Sequence, residues 1–350
     1  MGVTAGGAEG NRRLVLARRP SGMVDAGTVR LVEEPVPEPG PAGALVRVRY
    51  LSIDPTIRTW MNDAPGYLPA IGIGDVVRGG GIGEVVATTS DRYKVGDLVF
   101  GMTGWQDYAV ADESAGAMQI IPAGIDPLVA LSVFGVTGMT AYFGLIDVGG
   151  VTEGDTVVVS GAAGATGSVV GQLARIKGAA RVVGIAGTDE KCGWLVDDLG
   201  FDAAVNYRTQ NVGSRLRELC PRGIDLYFDN VGGEILDTCL GQLALKGRVV
   251  LCGAISTYND TGPAKGPGNY RNLIVIRGRM EGFLILDYLD RFPEAQMAMA
   301  GWVAEGRIKH SEHVVDGLAQ APEALNLLFT GGNTGKLIVR VDGERGRARP

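Results

Sequence analysis

The chain has only two histidines, His310 and His313, and four cysteines, Cys192, Cys220, Cys239 and Cys252, with no C-x-x-C spacing among them. A structural zinc needs four donors, commonly closely spaced, and a catalytic zinc three with an open position; neither pattern is present. The histidines at i, i+3 read as a solvated polar pair and no metal is expected. Four thiols are too few to staple 350 residues, so reduced cysteines and a cytoplasmic location are expected. Positive charge is not in excess either: 33 Lys and Arg against 39 Asp and Glu leave a formal charge of −6. That balance provides no global attraction to nucleic acid or to an anionic membrane. No G-x-S-x-G elbow occurs, which disfavours a triad hydrolase. The uncharged run 127–146 is long enough for a membrane helix, but Pro127, Gly135 and Gly138 interrupt it. It reads as two short buried helices separated by a break, so no membrane partner is expected.

What the chain does have is apolar content, 45% hydrophobic against 21% charged residues, enough to offset the entropy of ordering. Its length matches two domains of ordinary size. Residues 1–13 read as a loose, glycine-rich tail and residues 343–350 as a frayed end. From about 14 to 110, short β-branched runs at 45–50, 83–87 and 97–100 alternate with glycine and proline, the pattern of an antiparallel, barrel-like β-domain. From about 152 the rhythm becomes strand then helix: 156–160, 166–177, 181–186, 190–199, 203–206, 214–220, 224–228, 233–243, 248–251 and 272–276. Such alternation predicts an α/β, doubly wound parallel sheet. A helical stretch at 288–305 and a strand at 336–340 do not extend the alternation and are expected to return to the first domain. The expected boundaries are 1–125 for the β-domain, 126–280 for the parallel sheet and 281–350 for the return.

The strongest local signal is Val157-Val158-Val159-Ser160-Gly161-Ala162-Ala163-Gly164-Ala165-Thr166-Gly167-Ser168, a buried strand feeding a small-residue turn that opens a helix. Without bulky side chains, backbone N–H groups and a helix N-terminus can meet a pyrophosphate. The spacing is that of G-x-G-x-x-G with Ala162 in the first glycine position, and the strand–turn–helix context supports a dinucleotide site.

The second strand distinguishes the cofactors. An NAD site places Asp or Glu at its end to hold the ribose 2′-hydroxyl, whereas this chain reads Ala186-Gly187-Thr188. Lys191 follows, and Tyr207-Arg208 closes the third strand. A cation with nearby donors suits a 2′-phosphate, so NADP(H) is expected. Asp189 reads as the N-cap of the next helix, with a displaced ribose-binding acid as the alternative.

Among hydroxyl-bearing residues, Tyr258 follows the strand Val249-Val250-Leu251-Cys252 and enters a Gly/Pro loop, where strand C-termini line a ligand crevice. A neutral phenol there can donate to a developing oxyanion, and a loop tyrosine without chemistry is the alternative. Cys252 reads as a small buried strand residue.

Several motifs in order resemble the medium-chain dehydrogenase/reductase superfamily, in its zinc-free branch of prostaglandin, alkenal and curcumin reductase-like enzymes. They are Leu51-Ser52-Ile53-Asp54-Pro55 with Arg58, Val77-Arg78-Gly79-Gly80-Gly81, the turn from Ser160 to Gly171, Asp189-Glu190-Lys191, the stretch from Cys252 to Asn259, Arg279-Met280-Glu281-Gly282-Phe283, and Asn333-Thr334-Gly335-Lys336-Leu337. The resemblance implies a Rossmann sheet and a GroES-like β-barrel substrate domain. It implies that Ala165, Thr166, Gly167 and Ser168 hold the pyrophosphate, with Ala162, Gly164 and Gly187 in the same turns, and that Lys191 and Tyr207 hold the adenosine phosphate end. Asn230, Cys252, Gly253, Ala254, Ile255, Ser256, Phe283, Leu284, Ile285 and Asn333 would line the rest of the cofactor site, with Tyr50, Tyr67 and Met139 toward substrate.

The implied reaction is NADPH-dependent reduction of the C=C bond of an enone or alkenal, with Tyr258 and a ribose hydroxyl stabilising the enolate. A homodimer is implied as well. A quinone oxidoreductase on the same fold and a non-catalytic NADPH-binding protein are the rivals. Departures from the family pattern, Val136-Thr137-Gly138 and Pro69-Ala70, bear on substrate more than on reaction type.

Overall fold

The computed structural model describes residues 10–112, 117–263 and 265–342. The chain divides into two compact units. One comprises residues up to Leu131, Val314–Thr330 and the stretch from Leu337; the other comprises Ser132–His313 and Gly331–Lys336. Residues 281–313 therefore pack within the second unit, whereas the sequence pattern assigned everything after 280 to the first.

The first unit begins with β1 (Asn11–Leu16) and β2 (Val29–Glu34), an antiparallel pair. Arg12 and Arg13, expected in a loose tail, belong to β1. The buried Leu14, Val15 and Leu16 anchor the ladder, and the Arg12 guanidinium extends it by gripping Asp107 through Nε at 2.8 Å and Nη2 at 3.0 Å. Residues 1–9 of that expected tail, and the expected frayed end 343–350, lie outside the described residues.

The chain continues through β3 (Gly43–Ser52), α1 (Thr56–Trp60), β4 (Gly80–Thr88), β5 (Leu98–Met102), β6 (Tyr108–Asp112), β7 (Gln119–Ile120) and α2 (Pro127–Leu131). Strand β3 is central, pairing antiparallel with both β4 and β6. Register shifts between Leu45 and Val46 and between Val48 and Tyr50 bend it, as bulges do in barrels. Glycines on β4 let the strands close in. A Cβ at Gly81 would lie 2.6 Å from the Tyr50 carbonyl oxygen, and one at Gly83 2.6 Å from that of Arg47.

The second unit runs α3 (Val136–Phe143), continued by a π-helical turn over Gly144–Val148, then β8 (Thr156–Ser160), α4 (Ala165–Ile176), β9 (Arg181–Ala186) and α5 (Asp189–Gly193). It goes on with β10 (Ala203–Asn206), α6 (Val212–Leu219), β11 (Ile224–Asp229), α7 (Gly233–Leu240), β12 (Leu243–Leu251), α8 (Asn272–Ile276), β13 (Arg279–Gly282) and α9 (Phe292–Ala304). Among the described residues no helix is long and apolar enough to cross a membrane.

The six parallel strands are ordered β10-β9-β8-β11-β12-β13, so the winding reverses between β8 and β11. The crevice at such a reversal, beyond the strand C-termini, is where doubly wound sheets bind ligands. All five residues of β8 are buried, in keeping with its unbroken apolar run. Helix α4 lies flush on the sheet because Gly171 has no side chain: a Cβ there would come within 1.9 Å of the Phe201 ring. Strand β13 has no apolar run to announce it and forms because β12 offers it a ladder.

The chain closes with β14 (Glu312–Asp316), α10 (Ala321–Thr330) and β15 (Lys336–Arg340). These strands complete a sheet ordered β14-β15-β3-β4-β5-β7, with β6 also on β3.

Candidate functional site

At the end of β8, Gly161 takes a positive φ of 57°, and Gly164 stands extended ahead of α4 with no side-chain cap. Uncapped N–H groups in the first turn of a twelve-residue helix make a natural anion cradle. The turn tolerates no bulk. A Cβ at Gly167 would lie 2.4 Å from the Gly161 carbonyl oxygen and 2.8 Å from Cα of Ala162. Ala162, Ala165, Thr166 and Ser168 flank this cradle, and the Gly335 amide donates to the Ala163 carbonyl at 2.8 Å, bracing the turn from residues 331–336.

The second strand ends without an acid at Gly187. Thr188, not Asp189, is the N-cap of α5: its hydroxyl accepts the Lys191 amide at 3.2 Å. Asp189 is the first residue of the helix and accepts the Asn206 side-chain amide at 2.7 Å. The cap falls to Thr188 because its backbone is extended and its hydroxyl reaches the third turn amide.

Lys191 Nζ donates to the Gly331 carbonyl at 2.9 Å. A Cβ at Gly331 would lie 3.2 Å from Arg208 Nη2 and 4.0 Å from Lys191 Nζ, so two cations converge there. Burial, reinforced by the Arg208 charge, lowers the Lys191 ammonium below its ordinary pKa. Arg208 also lies 5.8 Å from the centre of the Tyr207 ring, and a Cβ at Gly187 would sit 3.1 Å from the Tyr207 hydroxyl. Gly187, Lys191, Tyr207, Arg208 and Gly331 thus form one cationic corner, suited to a dianion. A cradle without side chains joined to such a corner fits a phosphorylated dinucleotide.

Across the strand reversal, the fully buried Asp229 organises the ends of three strands. Its Oδ1 accepts the Tyr227 hydroxyl at 2.6 Å, the Ser160 hydroxyl at 2.9 Å and the Val231 and Gly232 amides at 3.0 Å. Burial, with Cys239 and Asp229 nearby, pushes the Tyr227 phenol well up, which keeps it a donor. Asn230 is held by its amide on Ser160 Oγ and its side chain on the Ser160 carbonyl. The Cys252 and Gly253 amides donate to the Asp229 carbonyl, and Ile255 and Ser256 donate to the Asn230 and Val231 carbonyls. Burial, then Asp229, pushes the Cys252 thiol to about 12, so it stays protonated at neutral pH.

Tyr258 follows a 3₁₀ turn over Ile255–Thr257, and its hydroxyl oxygen accepts the Ala254 amide at 3.1 Å. Phe283 packs edge-on to Tyr288, and Leu284 and Ile285 stand half-buried at the entry to the next turn. Asn333 is buried, with its side chain donating to the Gly335 carbonyl at 3.0 Å.

The expected substrate residues divide between the two units. Tyr50 and Tyr67 belong to the first unit, Tyr50 packing on Ile82, Ala130, Leu131 and Ile338, and Tyr67 sharing a 2.6 Å hydrogen bond with Thr56. Met139, in the second unit, is fully buried, a core position in α3. Sequence reasoning missed Asp229 as an organiser, together with Gly331 and Gly335. The Asp-Asn pair at a strand end was the available signal for Asp229.

His310 Nδ1 lies 2.8 Å from Glu312, which also accepts the Ser132 hydroxyl at 2.6 Å. Burial raises the Glu312 carboxyl, but these hydrogen bonds outweigh it and hold the group below its ordinary value. Among the described residues no three His, Cys, Asp or Glu side chains are grouped to hold a metal ion.

Residues 12–120 match the family model described as N-terminal domain of oxidoreductase, and residues 165–300 that described as zinc-binding dehydrogenase. Among the described residues no donor set fits the zinc of that description. The chain is 41% identical to the NADPH-dependent curcumin reductase of Escherichia coli (strain K12), covering 95% of this chain and 98% of that protein. It is 39% identical to a 2-alkenal reductase (NADP(+)-dependent) of Nicotiana tabacum, covering 88% and 90%. The crystal structure of CurA in complex with NADPH from Vibrio vulnificus superposes with a TM-score of 0.89, at 41% identity over 94% of this chain and 99% of that one. With a small-residue turn opening α4, a cationic corner and no zinc donor set among the described residues, the chain belongs to the zinc-independent branch of the medium-chain dehydrogenase/reductase family.

Proposed function

We propose that the protein is an NADPH-dependent reductase of the C=C bond of α,β-unsaturated ketones and aldehydes. The observation that carries the cofactor choice is the convergence of Lys191 and Arg208 on Gly331 beside a strand end that has no acid. The relatives' NADP-dependence and their curcumin and 2-alkenal substrates support the reaction class. Lys191, Arg208 and Tyr207 hold the 2′-phosphate, and the turn from Gly161 to Ser168 holds the pyrophosphate. Bound there, the reduced dinucleotide supplies a hydride to the β-carbon of the enone. Tyr258 donates its hydroxyl proton in a hydrogen bond to the carbonyl oxygen as negative charge gathers, and the α-carbon takes a proton from water.

NADPH oxidation with trans-2-alkenals and curcumin, with the saturated carbonyl identified as product, tests this reading; no turnover of any enone removes it. Lys191→Ala should weaken kcat/KM for NADPH by roughly thirtyfold, the worth of a charged hydrogen bond of about 2 kcal/mol, and leave NADH unaffected. Equal losses with both cofactors would refute Lys191 as the discriminator.

The direction of pH dependence follows. A phosphate raises the pKa of Lys191 above its lowered value in the free protein. Affinity is therefore full below the free-protein pKa and falls as pH rises through it, for NADPH but not NADH. Calorimetric titration at stepped alkaline pH checks this, and parallel curves for the two cofactors would contradict it.

We also infer a homodimer. Strand β13 is an edge of the six-stranded sheet, and Tyr270, Ile274 and Val275 are exposed in the residues leading to it. An open edge beside apolar surface favours pairing with a second copy. Sedimentation equilibrium at micromolar protein should give twice the chain mass; a monomer would dismiss the dimer.

A further inference from the structure

The cationic corner draws on three parts of the second unit: Lys191 in α5, Arg208 just beyond β10, and Gly331, 140 residues from Lys191. Of these, Gly331 brings no side chain. It directly follows α10 with a φ of 73°, the left-handed backbone with which glycine commonly ends a helix. What it does bring is a carbonyl, which accepts a hydrogen bond from Lys191 Nζ at 2.9 Å.

That acceptor is neutral. A carboxylate in its place would hold the ammonium and also cancel its charge, whereas a carbonyl fixes the side chain and leaves the charge in force. One of the three ammonium N–H groups is used, and two remain to meet a phosphate. Arg208 is steered toward the same point, with its amide on the Asn206 side chain at 3.0 Å and its guanidinium over the Tyr207 ring. The two cations repel each other in the free protein, and a dianion seated between them relieves that repulsion.

The space over Gly331 is where a side chain would interfere. A Cβ there would lie 3.2 Å from Arg208 Nη2 and 4.0 Å from Lys191 Nζ, so a carboxylate on that carbon would reach both cations. It would neutralise them and offer the ribose 2′-hydroxyl the kind of acid that NAD sites use.

We propose that position 331 determines cofactor specificity. As glycine, it keeps Lys191 and Arg208 charged and open to the 2′-phosphate, and so selects NADPH over NADH from a segment far in sequence from either cation. The inference rests on the reading that this corner holds the 2′-phosphate.

Gly331→Asp and Gly331→Asn are the test pair, with NADPH and NADH each titrated calorimetrically into the full-length protein. Asp and Asn are nearly equal in shape and both adopt the left-handed backbone more readily than other side chains, so bulk and strain are matched and only the charge differs. The tight contact is with the far end of Arg208, a flexible side chain that can give way. The ratio of NADPH to NADH affinity should fall at least about tenfold in Gly331→Asp relative to Gly331→Asn, through lost NADPH affinity. Equal ratios in the two variants overturn the proposal. Lys191→Ala, measured alongside, locates such a failure. If it lowers the ratio while Gly331→Asp does not, the corner holds the phosphate and only the role of position 331 is lost; if it too leaves the ratio unchanged, the reading of the corner falls as well.

Discussion

Tyr258→Phe should lower kcat for enone reduction by about ten- to a thousandfold, the range seen when one oxyanion donor is removed. KM for NADPH should change little. The phenylalanine keeps the ring and removes the hydroxyl, together with the hydrogen bond that hydroxyl accepts beside the 3₁₀ turn over Ile255–Thr257. That hydroxyl accepts the Ala254 amide at 3.1 Å, and accepting a hydrogen bond polarises O–H into a better donor. The geometry around it also restricts change: a Cβ at Gly253 would stand 3.1 Å from the same oxygen. Steady-state kinetics with a 2-alkenal and with curcumin measure the effect. An undiminished kcat would assign enolate stabilisation to a cofactor hydroxyl instead.

Asp229→Asn should cost about 3 kcal/mol of stability and weaken NADPH binding at least tenfold. An amide keeps the shape of the carboxylate but replaces one oxygen with a donor and removes the charge. Four donors aim at Asp229 Oδ1, from Tyr227, Ser160, Val231 and Gly232, and the Gly232 amide also reaches Oδ2 at 3.1 Å. Whichever way the amide turns, it weakens this buried network or sets a donor against a donor. The functional loss follows because the same residue holds the Cys252 and Gly253 amides through its carbonyl and sets the turn that presents Asn230. Thermal unfolding and NADPH calorimetry read the two effects separately. A variant that melts and binds like the parent would refute the organising role. Loss of stability with cofactor affinity intact would confine Asp229 to the core.

The local elements were legible where their signal is local. The apolar run of β8, the small-residue turn after it and the absence of an acid at Gly187 are properties of adjacent residues, and they sufficed for a doubly wound sheet and a phosphorylated cofactor. β10 and β15 begin and end where the pattern placed them. The misassigned places share another character. Arg12 and Arg13 are strand because Asp107, 95 residues on, completes Arg12's ion pair. Strand β13 is strand because β12 is beside it. Thr188 caps α5 in place of Asp189 because backbone geometry, not residue preference, places one oxygen on the Lys191 amide.

Backbone periodicity, turn chemistry and composition are written in neighbouring residues, so the parallel sheet, the small-residue turn after β8 and the family were readable from the chain alone. Which side chains meet depends on strand order and on packing between segments far apart in sequence. Lys191 finds the Gly331 carbonyl across 140 residues, Ser160 finds Asp229 across 69, and Thr103 keeps an unpaired hydroxyl because Gly81 leaves it room. No spacing rule encodes those meetings; close packing of the folded chain creates them.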